Sequence, residues 1–171
     1  MDLHYQQLLP EDFDPLSRVW IYQANRKFML SEVLATEEIL NEFVGKWNAH
    51  GSPVKGFATI FYGQFVILMA DETQTGVSGC STDSSVRVIK DLEQRFNIAL
   101  FDRQLLAFIK NDKIELLPLP QIQYAAENGF VQPDTLYFNN TVQTKQELEQ
   151  SWIIPVKQSW LARKINFTVT Q

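Results

Sequence analysis

The spacing of apolar residues along the chain switches between the period of a β-strand and that of an α-helix. Residues 18–24 (RVWIYQA) are rich in β-branched and aromatic side chains, which is typical of a strand. Residues 32–48 carry apolar side chains three and four positions apart, a spacing that predicts an amphipathic helix. Ser31 is the expected N-cap of this helix, and Gly51 and Pro53 lie beyond its end.

Two pairs of neighbouring apolar runs predict β-hairpins. Residues 54–61 and 64–70 flank a Tyr-Gly turn, and residues 103–109 and 114–119 flank the turn NDK. The run FVILMA at 65–70 is apolar throughout, as expected for a strand covered on both faces. Between the two hairpins, a second amphipathic helix is predicted, with Val86, Ile89, Leu92 and Phe96 on its apolar side.

This order of elements predicts an α+β fold. Strand, helix, strand, strand, helix and strand in succession match the ferredoxin-like β-α-β-β-α-β sandwich, whose sheet has the strand order 4-1-3-2. An extra β-hairpin strand follows, and then a C-terminal helical extension with a short strand at 136–138 and a helix capped by Thr144 and Glu147. We predict a single domain, 1–171, with a core at 18–119 and an extension at 120–171.

Composition and charge narrow the class of function. The 171 residues are 45% hydrophobic, enough for a packed core, and the net charge of −5 argues against nucleic-acid binding. One cysteine and two histidines form neither an internal disulfide nor a usual Cys/His zinc site, so we predict no metal and no cofactor. The first residues lack a signal-peptide pattern, and no apolar run is long enough to cross a membrane. These features favour a cytoplasmic protein.

The stretch GVSGCSTDSSV at 76–86 contains the only cysteine, Cys80, directly before the second helix. In the predicted topology the chain reverses after the first helix, near His50, and again after the third strand. Both reversals lie at the same end of the sheet, so His50 and Cys80 are expected to share one mouth. Asp102 and Arg103 follow the second helix and are expected at the opposite end.

The start of the second helix predicts a site for a small anion. Ser81, Thr82 or Asp83 can cap the helix, and its N-terminus carries unpaired N–H donors and a partial positive charge. A phosphate or carboxylate would bind there with help from the Ser81 and Ser84 hydroxyls. The predicted ligand-binding residues are therefore Ser81, Thr82, Asp83 and Ser84. A protein partner and a homodimer are both compatible with this interpretation.

Two other hypotheses use the same stretch differently. In a thiol-dependent enzyme, Cys80 would be the nucleophile and His50 its base, because a thiol at a helix N-terminus ionises more easily. In a purely structural protein, Cys80 is a small buried side chain, and His50 is favoured only by the helix C-terminal dipole. The carboxylates Asp71, Glu72 and Asp83 are interpreted as solvated rather than as a Mg²⁺ site. Asn139 and Asn140 are interpreted as a turn.

Several stretches together carry a resemblance to a family. They are WNAHGSPV (47–54), GQFVILMADE (63–72), SGCSTDSSV (78–86), FDR (101–103), FNNTVQTKQELEQSW (138–152) and SW (159–160). The chain resembles a short bacterial family of uncharacterised proteins that are often labelled "ABC transporter ATPase". The label implies ATP hydrolysis, but the sequence lacks the G-x-x-x-x-G-K-[ST] loop that wraps phosphates, so we reject that activity.

Overall fold

The computed structural model describes residues 1–73 and 79–167, and their side chains apart from those of 79–81. This part of the chain is mixed α+β, which confirms the predicted class. The helices are α1 (Leu30–Lys46), α2 (Gly79–Phe96), α3 (Ile122–Glu127) and α4 (Lys145–Ser151). The strands are β1 (Arg18–Gln23), β2 (Asn48–Ala49), β3 (Ser52–Pro53), β4 (Lys55–Phe61), β5 (Phe65–Asp71), β6 (Leu105–Lys110), β7 (Lys113–Pro118), β8 (Leu136–Phe138) and β9 (Ile153–Pro155).

The first sheet has three antiparallel strands in the order β1-β5-β4. The predicted hairpin of β4 and β5 is confirmed, with Tyr62 and Gly63 at positive φ in the turn (57° and 60°). β5 is central and buried at every position, as its uninterrupted apolar run predicts. This pairing is also the order that a ferredoxin-like sheet gives to its first three strands.

The fourth predicted strand departs from that arrangement. It forms β6, which pairs with β7 and β8 in a second sheet of order β7-β6-β8-β9 instead of pairing with β1. Part of the free edge of β1 is occupied by another segment, because the Val19 N–H donates to the Gln143 carbonyl at 2.9 Å. The single sheet of order 4-1-3-2 is therefore not confirmed. The region after residue 119, predicted to be a helical extension, supplies two strands of the second sheet.

The core is arranged in layers around the two sheets. One face of the first sheet packs on α1 and α2, and its other face packs on the second sheet. The outer face of the second sheet is covered by α3 and the segment 156–165. The layer between the sheets contains Val19, Ile21, Phe65, Ile67, Met69, Ala107, Phe138, Leu148 and Trp152, joined by Tyr5, Leu9 and Phe13 from the N-terminal segment.

The start of α1 differs from the sequence prediction. The helix begins at Leu30, so Ser31 is inside it and is not its N-cap. The Glu32 carboxylate accepts the Met29 N–H at 2.8 Å and is held by the guanidinium of Arg26 through bonds of 2.8 and 3.0 Å. A charged pair therefore satisfies the helix start that a serine hydroxyl was expected to cap.

Other local predictions are confirmed. Thr144 caps α4 by accepting the Glu147 N–H at 3.2 Å, and Gly129 follows α3 at a positive φ of 72°. Asn111 and Asp112 form the turn between β6 and β7, both with positive φ. Within the described ranges, no helix combines the length and apolarity that spanning a membrane requires.

Candidate functional site

His50 lies at the tip of a small hairpin that the sequence did not predict. β2 and β3 pair on either side of His50 and Gly51, whose φ angles are 51° and 79°. Two successive positive φ angles are the requirement of a tight hairpin turn, and the His50 side chain is exposed. β2 contacts α2, so the hairpin lies against the helix that contains Cys80.

The residues predicted to bind an anion lie on α2 itself. The helix begins at Gly79, so Thr82, Asp83 and Ser84 are inside it and not at its N-cap. The Thr82 carbonyl accepts a hydrogen bond from the Ser85 hydroxyl at 2.6 Å, while Asp83 and Ser84 are exposed. The side chains of Cys80 and Ser81 lie outside the described part of the structure.

A groove of about 390 Å³ runs between α1 and α2, and Ser84 forms part of it. Its rim carries both signs of charge: Lys46 pairs with Glu42 at 2.6 Å, and Arg87 lies near Asp91 in the lining. Such a rim exerts little net attraction on an anion. The apolar part of the lining is Ile39, Phe43, Trp47 and Val88.

Asp71 was interpreted from the sequence as a solvated carboxylate, but it is buried and has a structural role. Its side chain is 4% exposed and accepts hydrogen bonds from the N–H groups of Asp14 and Thr73 and from the Thr73 hydroxyl, with Lys55 Nζ at 3.4 Å. Burial by itself would raise the pKa of Asp71, but these bonds and the lysine outweigh it and lower the pKa to about 2. In the described residues, no three metal-ligating side chains come together.

A second candidate region lies along the outer edge of β1, and we call it the β1 cleft. It has two compartments that share Ile21, Arg103, Asn140 and Thr141 as walls. The first, the arginine compartment, has a volume of about 380 Å³. Its lining is Arg18, Val19, Trp20, Ile21, Arg103, Asn140, Thr141, Val142 and Gln143.

The other compartment is smaller and mostly apolar, and we call it the apolar compartment. Its volume is about 130 Å³. Leu106, Tyr137 and Phe138 are almost fully buried in its wall, so the compartment extends inward from the surface. The complete lining is Ile21, Gln23, Leu100, Asp102, Arg103, Leu105, Leu106, Tyr137, Phe138, Asn140, Thr141 and Trp160.

A network of neutral side chains holds the two walls of the cleft together. Asn140 Nδ2 donates to Gln23 Oε1 at 2.9 Å, and Gln23 Nε2 donates to the Leu105 carbonyl at 2.8 Å. The indole N–H of the fully buried Trp152 donates to Asn140 Oδ1 at 3.0 Å. Because buried amides are costly unless they are bonded, this network fixes the spacing between β1 and the segment 139–143.

The main chain of β1 directs polar groups into the cleft. The Ala24 N–H bonds to the Gln64 carbonyl, while the Val19 N–H bonds to Gln143 on the other side. Because peptide groups alternate along an antiparallel strand, the Ile21 N–H and C=O also point away from β5 and toward the cleft. No hydrogen bond joins the Ile21 N–H to another residue in the described part of the chain.

Two arginines supply the charge of the cleft. The Arg18 guanidinium lies 5.0 Å from the centre of the Trp20 ring and 3.5 Å from Glu72, an exposed ion pair. Arg103 is exposed, and no ion pair with a described carboxylate holds it. Burial raises the pKa of the Tyr22 phenol, and the positive charge of Arg103 partly opposes that rise.

The sequence interpretation missed this region. Asn140 was taken for a turn residue, and Arg103 was expected only to lie far from Cys80. Three of the stretches that carry the family resemblance meet here: FDR supplies Arg103, FNNTVQ supplies Asn140 and Thr141, and SW supplies Trp160. The available signal was that these polar residues belong to the stretches that carry the resemblance; that the stretches meet is visible only in the fold.

Comparison with known proteins identifies no relative. No family model matches the chain, no curated protein matches it, and no solved structure matches it.

Proposed function

We propose that this protein binds a small organic anion in the β1 cleft. The observation that supports the proposal is the polarity of the arginine compartment. Arg18 and Arg103 both line it, and among the described residues no carboxylate does. In a chain whose net charge is −5, a compartment with this lining is a local reversal of sign that attracts anions.

The chemistry of the lining fits a carboxylate or phosphate group. A guanidinium offers parallel N–H donors that match two oxygens of such a group. The outward-facing Ile21 N–H adds a main-chain donor with a fixed direction. The ligand class agrees with the sequence prediction, but we assign the ligand to the cleft instead of to Ser81, Thr82, Asp83 and Ser84. Asp83 on α2 and the carboxylates beside the α1–α2 groove would oppose an anion there.

Anion titration tests this function. Acetate and inorganic phosphate, added separately at low ionic strength, are expected to raise the melting temperature, since a ligand at ten times its Kd adds about 1.4 kcal/mol to the unfolding free energy. Arg103→Gln should abolish the shift, and Arg103→Lys should retain part of it, because lysine keeps the charge and loses the fork.

The matched control is Arg163→Gln, which removes an exposed arginine from outside the cleft and should leave the shift intact. Absence of a shift with both anions would overturn the proposal. An equal shift in the wild type and Arg103→Gln would also overturn it, because the anion would then bind elsewhere.

We also propose that two copies of the chain associate through α1. Met29, Leu30 and Leu34 are 62%, 76% and 55% exposed and form one apolar patch at the start of this helix. An antiparallel pairing that brings Leu30 of one copy onto Leu34 of the other also brings the exposed Lys27 toward Glu37 of the second copy. The patch therefore offers a second copy both apolar contact and opposite charges.

Analytical ultracentrifugation tests this association. The wild type is expected to form a dimer whose dissociation increases with salt, and Leu34→Glu should be monomeric because it adds like charges to both sides of the contact. Leu16→Glu changes another exposed leucine, at 71% exposure, and should leave the dimer intact. A wild-type chain that is monomeric at millimolar concentration would contradict the proposal.

The thiol-dependent enzyme is the alternative proposal, with Cys80 as nucleophile and His50 as base. Its support is the contact between β2 and α2, which brings the hairpin of His50 to the helix that contains Cys80. The rate of Cys80 alkylation against pH tests it: an active thiol reacts well below pH 8 and slows in His50→Ala. A thiol that resists iodoacetamide until the protein unfolds would exclude this chemistry.

A further inference from the structure

We infer that the β1 cleft selects a carboxylate attached to a single six-membered ring. The inference rests on the proposed anion site and adds the part of the ligand that carries no charge. It depends on the apolar compartment, which lies beside the arginine compartment and is smaller and less polar.

The size of the apolar compartment matches one ring. Its volume is about 130 Å³. An apolar cavity of about 150 Å³ lined by leucine, isoleucine and phenylalanine holds a benzene molecule, so this compartment has room for one ring and not for two. Its buried wall is formed by Leu106, Phe138 and the ring of Tyr137, side chains that gain more from contact with carbon than with water.

The two side-chain amides of the apolar compartment, Gln23 and Asn140, do not call for a polar ligand. Gln23 and Asn140 bond to each other, to the Leu105 carbonyl and to the indole of Trp152. Their amide oxygens each already accept a hydrogen bond. A ligand that enters between them therefore meets a wall whose hydrogen bonds are largely made, and a hydrocarbon ring leaves no new buried group unpaired.

The charges of the cleft orient the ligand. Asp102 lies at the apolar compartment, with its Oδ1 accepting the Gln104 N–H at 2.9 Å, and its charge disfavours a carboxylate there. Both arginines line the arginine compartment, beside the Ile21 N–H, whereas Arg103 alone of the two also borders the apolar compartment. The ring consequently enters the apolar compartment and the carboxylate remains at the arginines.

The flat arrangement of the hydrogen-bond donors in the cleft favours a carboxylate over a phosphate. The N–H groups at a strand edge lie close to the plane of the sheet, and the guanidinium is itself flat. A carboxylate conjugated to a ring is flat as a whole. In a single orientation, the ring can therefore occupy the apolar compartment while both oxygens face donors. A tetrahedral phosphate attached to the same ring directs at least one oxygen out of that plane.

Isothermal titration with benzoate, acetate and benzamide tests the inference on the full chain. Benzoate is expected to bind roughly ten-fold tighter than acetate, because the ring removes apolar surface from water. Benzamide keeps the ring but lacks the charge, and it should bind roughly ten-fold more weakly than benzoate. Leu105→Phe places a second ring in the apolar compartment and should bring the ratio of benzoate to acetate affinity close to one.

The control is Leu117→Phe, the same change on β7 outside the compartment, which should preserve the ratio; thermal melts establish that both variants fold. If acetate binds and benzoate binds no tighter, the ring selectivity is overturned while anion binding stands. If neither acetate nor benzoate binds, the proposed function fails together with the inference. A preserved ratio in Leu105→Phe would place the ring elsewhere and overturn the assignment.

Discussion

The two candidate regions differ in how their polar groups are held. At the start of α2, the chain's only cysteine and His50 belong to neighbouring elements, but His50, Asp83 and Ser84 are exposed. The described lining of the β1 cleft contains no cysteine and no histidine. Its amides, however, are drawn from distant parts of the chain and bonded to one another in a partly buried network.

This difference shows which observation points to a built site. An exposed histidine in a turn needs no partner side chains to hold it, so its presence alone does not indicate a site. A glutamine that is 6% exposed is costly unless its partners are arranged for it. The β1 cleft is therefore more specifically structured than the start of α2, although its residue types are less typical of a catalytic site.

The largest expected effect is on the free energy of unfolding, which should respond very differently to a substitution in each of the two regions. Asn140→Ala leaves the Trp152 indole N–H and the Gln23 carbonyl without their partners, and we expect it to lower the free energy of unfolding by about 3 kcal/mol. Ser84→Ala, in the α2 region, should change that free energy by less than about 0.5 kcal/mol. Urea denaturation measures both.

A matched asparagine provides the control for this pair. Asn128→Ala removes an exposed asparagine whose amide donates to the Tyr124 carbonyl, and a change within about 0.5 kcal/mol is expected. If Asn140→Ala proved as mild as Asn128→Ala, the network would not be what holds the cleft together.

A smaller effect compares this neutral network with the charged one around Asp71. The pKa of Asp71 is lowered from 3.8 to about 2, so its carboxylate contributes stability that is complete above about pH 4 and is lost as the pH falls toward 2. Asp71→Asn should cost about 2 kcal/mol at pH 7 and progressively less below pH 4. Urea unfolding at a series of pH values measures this, and a cost that stays constant down to pH 2 would contradict the ionic role.

The smallest expected effect concerns His50. Its φ of 51° is unfavourable for most side chains, whereas Asn-Gly is the preferred pair for this kind of hairpin turn. If His50 serves only the turn, His50→Asn should raise the free energy of unfolding by about 0.5 kcal/mol. Comparison of melting temperatures checks this, with His4→Asn as the control in an exposed position of the N-terminal segment. A loss of stability would indicate that the imidazole makes a contact of its own.

The errors of the sequence interpretation concern contacts between distant parts of the chain, whereas local features were predicted well. The β4–β5 and β6–β7 hairpins, α1, α3 and the Thr144 cap were predicted because each depends on residues within one turn or one period. The partners of β6 were not, because both β1 and β8 are compatible with its apolar pattern. The Ser31 prediction failed because Arg26, outside the helix, favours Glu32 as the group at the helix start.

By itself, the sequence determined the α+β class, the central buried strand and most helix and strand positions, since side-chain periodicity and turn residues act over short distances. Only the tertiary structure decided which strand edges pair, and with them the β1 cleft. Gln23 and Asn140 are separated by 117 positions, and Arg103 reaches β1 from a third segment. Contacts of this kind depend on a competition among strand edges and buried polar groups, which is resolved only when the whole chain packs.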